Sequence, residues 1–239
     1  MRRKELPKRI SPNPLLSSVV EVRFESNLKS EDLIELYLNH FSKDFPQILD
    51  HSPDFDVVQP ANTNYKVRYI FNSDNFSILI GSNIIAFENQ GDYKFWTNYS
   101  PVIEKNLHKL NEACEIKKIE RIGIRYLSFF EDEAMLRNSI IVKNDFDFDN
   151  YLQKDSYFRA TYFKENINIT VQVPQNVIIK KDDLTKSGTL VDIDVSCDQG
   201  LPQSIGKDFF ELINLMHAEE KAMFFTLLSD EFLATLNPE

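Results

Sequence analysis

Two five-residue stretches of the chain follow one pattern. Val20-Glu21-Val22-Arg23-Phe24 and Ile122-Gly123-Ile124-Arg125-Tyr126 both run apolar, spacer, apolar, arginine, aromatic. Such alternation puts the apolar side chains on one face of a β-strand and the charged ones on the other. The two arginines lie close to half of the 239 residues apart. The repeat predicts a single domain, 15–239, made of two related halves, 15–118 and 119–239. Residues 1–14, with five basic residues and then Pro7, Pro12 and Pro14, read as an extended basic arm ahead of it.

Period and punctuation supply the rest of the expected elements. Ser30 ahead of Glu31 and Asp32 reads as a helix cap with acids in the first turn. Leu33, Ile34, Tyr37, Leu38 and Phe41 then form a helical stripe that stops at Pro46. Residues 47–63 read as irregular. Strands are expected at 64–71, 75–80 and 83–88, an antiparallel meander turned by Asn72-Ser73-Asp74-Asn75 and Gly81-Ser82-Asn83. Ser100-Pro101 reads as the opening of a helix whose inner face carries Ile103, Leu107, Leu110 and Cys114.

The second half runs loosely in the same order. A strand at 119–130 leads to an acidic connector, 131–150, and a short helix near 147–153. Strands follow near 157–164, 167–173, 176–180 and 189–196. From Ser204 the sequence is helical, and the polar run His217–Glu220 predicts two helices or a bend. Antiparallel strands with few connecting helices make this an α+β chain: antiparallel sheets with packed helices, in two pseudo-repeated strand-helix-strands-helix halves.

Composition mainly excludes. Apolar residues make up 42%, with 19 Phe, enough for a sizeable core. The 6 Gly are scattered singly, so no glycine-rich phosphate loop or dinucleotide fingerprint can be written. A net charge of −10 repels phosphate backbones and disfavours nucleic acid as a partner. The basic arm is the exception; it reads first as a solvated, frayed terminus and second as a contact for nucleic acid or an acidic partner. Cys114 and Cys197 are too few for a disulfide framework and too far apart for a zinc site, which points to reduced thiols in the cytoplasm. No apolar run has signal-peptide length, and no window approaches the roughly 18 apolar residues that span a bilayer. A soluble cytoplasmic protein is expected.

No residue is assigned to catalysis, to a metal or to a cofactor. His40 with Asp44, and His108 with Glu112, have helical spacing, but one histidine and one acid do not hold a metal. His217 reads as a helix C-terminal residue. Glu131-Asp132-Glu133 and Asp145, Asp147 and Asp149 read as a solvated acidic loop. Asp192 and Asp194 read as the wet side of a strand. Arg23 and Arg125 are expected on adjacent central strands, ion-paired, with Glu21 the local partner of Arg23, or else in contact with an anion or ligand. Tyr93, Phe95, Trp96 and Tyr99 cluster ahead of Ser100; they read as core, or as the aromatic type enriched at interface hot spots.

Pro14-Leu15 with Val20-Glu21-Val22-Arg23-Phe24, Arg121-Ile122-Gly123-Ile124-Arg125-Tyr126, and Leu215-Met216-His217 before a Phe-containing helix together resemble a sporadically distributed, uncharacterised bacterial protein family of about this length. The resemblance covers nearly the whole chain. It implies no activity and no catalytic residues. The patchy distribution implies horizontal transfer, and so a mobile-element or phage-defence context.

The reading that follows is a non-enzymatic binding or adaptor protein for a protein partner (a toxin, an effector or an unfolded segment). Arg23, Arg125, Trp96 and Tyr99 are its expected contact residues, and self-association is left open. The alternative is a metal-dependent enzyme acting on nucleic acid or nucleotide through Asp145, Asp147, Asp192 and Asp194. The first reading expects the polar side chains to be dispersed and ion-paired, never gathered around one void.

Overall fold

A computed structural model describes residues 5–50, 66–89, 93, 95–131, 156–181 and 184–239. Among them are the strands β1 (Leu15–Ser26), β2 (Gln47–Asp50), β3 (Tyr69–Asn72), β4 (Phe76–Gly81), β5 (Ile84–Asn89), β6 (Ile116–Glu131), β7 (Tyr157–Lys164), β8 (Ile167–Pro174), β9 (Val177–Lys181) and β10 (Leu184–Cys197). The helices are α1 (Leu33–Leu36), α2 (Trp96–Ala113), α3 (Lys207–Leu227) and α4 (Asp230–Thr235). The fold is mixed α/β. Its strands form one large antiparallel sheet, in the order β2-β3-β4-β5-β1-β6-β10-β8-β7, with β9 paired to β10. One sheet stands where several were expected, and the arginine strands β1 and β6 are neighbours within it.

The chain divides into two compact units. One is Ser17–Ile124 with Ser196–Leu215, the meander unit; the other is Met1–Leu16, Arg125–Val195 and Met216–Glu239, the C-terminal unit.

In the meander unit, Val20, Val22 and Phe24 are fully buried, as the alternation requires. The β3–β4 turn closes with the Ser73 N–H donating to the Phe76 carbonyl at 2.9 Å. Residues 47–50, expected to be irregular, form β2, paired with β3 from Gln47↔Asn72 to Asp50↔Tyr69. The helical stretch after β1 begins one residue earlier than expected: the Asp32 carboxylate accepts from the Lys29 N–H at 2.9 Å, so Lys29 and not Ser30 is the cap. It passes from a 3-10 turn (Ser30–Asp32) through α1 to a π turn (Tyr37–Phe41). The period of 3.6 is not kept across such changes. Leu33, Leu36, Tyr37 and Phe41 are inside, while Ile34 and Leu38 are exposed. The Tyr37 and Phe41 rings pack on Phe71 with centroids 4.7 and 5.6 Å away.

Helix α2 starts at Trp96 rather than at Ser100, and Pro101 lies inside it. The Phe95 carbonyl accepts from the N–H groups of Asn98 and Tyr99, both at 3.0 Å. Burial of Tyr99 explains the early start. Its ring stacks on Phe76 at 5.5 Å and its hydroxyl donates to the Phe87 carbonyl at 2.5 Å. That anchoring winds the aromatic run into the first turn and outweighs the helical bond that proline cannot make. Ile103, Leu107 and Leu110 face the core as expected.

In the C-terminal unit the buried apolar residues include Tyr126 and Phe130 on β6, Ile167, Ile169, Val171 and Val173 on β8, and Val191, Ile193 and Val195 on β10, while β7 buries none. A Cβ at Gly188 would lie 2.1 Å from the Phe130 carbonyl oxygen, so only glycine lets β10 pass there. The expected break at 217–220 is absent, and α3 runs through it. Glu219 and Glu220 are buried instead of solvated, and Glu219 accepts from Lys164 on β7. Phe224 and Phe232 place their rings 6.3 and 5.5 Å from that of Phe130. Ser229 caps α4 through the Phe232 N–H at 3.1 Å.

The N-terminal arm is not frayed from Lys8 to Ser11. Its backbone bonds the C-terminal tail through Lys8 N–Glu239 O, Glu239 N–Arg9 O and Ser11 N–Leu236 O. Of the expected acidic connector, 131–150, all but Glu131 lies outside the described residues, as does the short helix expected near 147–153. Among the described residues no helix is long and apolar enough to cross a membrane.

Candidate functional site

The two arginines expected at the centre of the sheet sit in separate ion pairs. On β1, Glu21 and Arg23 share the face opposite the buried valines, and Arg23 Nε donates to Glu21 Oε1 at 2.7 Å. Arg121 NH1 on β6 donates to the same oxygen, also at 2.7 Å. All three side chains are 23% exposed. The Arg121 guanidinium lies across Gly123, where a Cβ would come within 2.5 Å of NH1. Two cations thus share one carboxylate. Glu21 was legible as the partner of Arg23; Arg121 was not, although it precedes Arg125 by four residues on the same face of the strand.

Arg125 belongs to a longer array in the C-terminal unit. Its Nε and NH2 donate to Asp192 Oδ1 and Oδ2 at 2.8 and 2.7 Å, a bidentate fork. Gln172 Nε2 donates to Asp192 Oδ2 at 3.2 Å, and Tyr157 OH donates to Gln172 Oε1. One polar chain so crosses β6, β10, β8 and β7. Hydrogen bonding to Asp192 raises the Arg125 pKa above its ordinary value. The exposures differ sharply: the Asp192 side chain is 9% exposed and that of Arg125 58%. A buried carboxylate grips the inner edge of the guanidinium and leaves the outer edge to solvent.

The aromatic pair divides. Trp96 is half-buried, and its Nε1 donates to Asn214 Oδ1 at 2.8 Å. Tyr99 is fully buried and offers no surface for a partner. Burial pushes its phenol well above the ordinary range.

Polar groups that were expected to be dispersed do gather at one place in the meander unit. A hollow of about 510 Å³ is lined by Asn27, Asp32, Glu35, His40, Cys114 and Glu115, among others. The expectation of dispersal fails there because the π turn and the end of α2 converge. Burial pushes the Cys114 thiol up to about 11, so little thiolate exists at neutral pH. Among the described residues no three His, Cys, Asp or Glu side chains are placed to hold a metal ion. Asp145 and Asp147 lie outside the described residues, and Asp192 is committed to Arg125 and Gln172. Asp44 is taken by Lys105 and Lys109, at 2.8 and 2.6 Å, rather than by His40; both lysines hold its carboxyl down at about 2. His108 approaches Glu104 at 4.0 Å, and its ring packs 5.3 Å from that of Phe210.

Sequence reasoning missed the group on α3. Phe209, Ile213 and Met216 continue at helical spacing to Glu220, so a carboxyl sits on the apolar stripe. Burial pushes Glu220 up to about 8 and His217 down to about 4. The His217 ring lies 5.6 Å from Tyr126. The signal was present in the spacing but is hidden when four polar residues are read as an interruption.

No family model, curated protein or solved structure matches this chain.

Proposed function

We propose that this chain is a non-enzymatic binding or adaptor protein whose partner is another protein. The observation that carries the reading is the Arg125 fork. Interface hot spots favour arginines that are rigid before the partner arrives, because little side-chain entropy remains to be lost. Arg125 meets that condition through Asp192 and Gln172, and its exposed edge can donate to a carboxylate or to backbone carbonyls of a partner. Tyr157, at the far end of the array, supplies an exposed aromatic on the same face. The hollow in the meander unit departs from the dispersal this reading expects, but its thiol, Cys114, is pushed up to about 11 by burial, and among the described residues no three His, Cys, Asp or Glu side chains are placed to hold a metal ion.

The partner class is a toxin, an effector or an unfolded segment. We read the setting as a mobile-element or phage-defence one, on the resemblance to a sporadically distributed bacterial family, and the compartment as the cytoplasm, a reading that the two free thiols support. We also read the chain as two related halves, 15–118 and 119–239. In support, each half opens on an arginine strand, β1 or β6, that pairs with the last strand of its own half, β5 or β10. Affinity capture alongside co-expressed products of the adjacent genes tests the proposal. One recurring protein partner is the expected result; repeated recovery of the chain alone contradicts it.

A further inference from the structure

Strand β7 ends the sheet and is exposed along most of its length. The Gln175 N–H donates to the Ser156 carbonyl at 2.9 Å. In an antiparallel ladder this turns the even-numbered backbone groups of β7 toward β8 and the odd-numbered ones outward. The N–H and C=O groups of Tyr157, Arg159, Thr161 and Phe163 therefore face the open edge, with no partner among the described residues. Natural edges are usually blunted by proline, by charge or by a bulge. This one carries Arg159, while Lys164 is committed to Glu219, and it exposes Tyr157 (55%), Tyr162 (46%) and Phe163 (78%).

The order of residues on that edge is close to symmetric. Reading outward from Ala160, the next pair is Arg159 and Thr161, then Phe158 and Tyr162, then Tyr157 and Phe163. We propose that β7 is a self-pairing edge, joining two copies of this chain antiparallel about a twofold axis through Ala160. The proposal does not rest on Arg125, although Tyr157 belongs to both surfaces.

A twofold axis normal to the sheet keeps each face on its own side, so odd residues must meet odd and even must meet even. With the axis at Ala160, Tyr157 meets Phe163 and Arg159 meets Thr161 as hydrogen-bonded pairs, using the outward backbone groups. Phe158 meets Tyr162 on the other face, and the small Ala160 meets itself at the closest approach. Aromatic faces aromatic on both sides, a favoured cross-strand combination, and no like charges are opposed. Moving the axis to Thr161 would set Phe158 against Lys164 and Arg159 against Phe163, and lose every aromatic pair.

Sedimentation of the full chain tests this, with each copy weighing 27.9 kDa. The wild type is expected at twice that mass. Opposed Ala160 residues would have Cα atoms about 4.5 Å apart, within disulfide range, so Ala160→Cys should cross-link on oxidation above the wild-type background. Thr161→Cys, facing Arg159, should not. Thr161→Pro removes an outward N–H, together with the hydroxyl that lies 3.1 Å from Thr170 Oγ1, and should weaken dimerisation about tenfold or more. If that variant fails to fold, the two cysteine variants still decide. A wild type that stays at single-chain mass, including one whose β7 is covered only by a different protein, overturns the proposal. So does a dimer that Ala160→Cys does not cross-link, or a folded Thr161→Pro that dimerises as tightly as wild type.

Discussion

At the scale of single residues, Asp192 shows what long-range pairing does to a charge. The carboxylate is held out of water by its setting, and Arg125 makes that tolerable. Arg125→Ala should cost about 2 kcal/mol or more, chiefly because Asp192 is left buried and unpaired. Arg125→Met combined with Asp192→Leu should return to within about 1 kcal/mol of wild type, since an apolar pair needs no compensation. Urea unfolding of the two variants checks both expectations. Only part of this was legible beforehand. Glu21 is two residues from Arg23, and alternation alone puts both on one face. Asp192 and Gln172 reach Arg125 from β10 and β8, and nothing in local spacing says which strands will be neighbours.

Glu220 and His217 set opposing pH dependences. The folded chain keeps the Glu220 proton up to about 8, whereas an unfolded chain gives it up near 4.5, so stability falls as pH rises through that window. His217 gains its proton only near 4 when folded and near 6.5 when unfolded, so stability falls as pH drops from 6.5 to 4. The two slopes oppose each other between 4.5 and 6.5, and Glu220 acts alone from 6.5 to 8. Glu220→Gln should therefore melt with the wild type near pH 5 but exceed it at pH 8.5, by roughly 3–5 kcal/mol on the linkage arithmetic. Equal melting of the two proteins at pH 8.5 would mean that the carboxyl is solvated.

At the scale of elements, strands were read better than helices. Alternation located β1, β4, β5, β6, β7, β8 and β9 closely, because a strand's two faces are written directly into every second residue; β3, expected from 64, begins only at Tyr69. β2 was missed because only Ile48 and Leu49 carry apolar character there. The two helix starts were misplaced for different reasons. At α2 the cap chemistry at Ser100 was overridden by the tertiary anchoring of Tyr99, whereas at the first stretch another local cap, Asp32 on the Lys29 N–H, took the place expected of Ser30. The inner face of the first helical stretch yields a contrast. Leu33→Ala should cost about 2–5 kcal/mol, whereas Leu38→Ala, on the exposed side, should stay within about 0.5 kcal/mol. Equal costs at the two positions would contradict this placement, and paired unfolding curves check it.

At the scale of the whole molecule, the near-copy of two pentapeptides pointed to adjacent central strands, and β1 and β6 are adjacent. The order of the remaining strands was not legible, nor was the exposed β7 edge. Strand order depends on which loops cross and which faces are covered, and a sequence read in windows carries neither. On the proposed reading, a partner at Arg125 must offer groups that accept hydrogen bonds from a fixed guanidinium.

The most direct measurement is the recovery of co-expressed neighbouring gene products on the immobilised full chain, compared with recovery on the Arg125→Met, Asp192→Leu double variant. Because that variant should keep its stability, lost binding cannot be charged to unfolding. The account predicts one protein partner on the wild type and at least about tenfold less of it on the variant, the loss of roughly one anchor's worth of affinity. Equal recovery on both, or none on either, would contradict it.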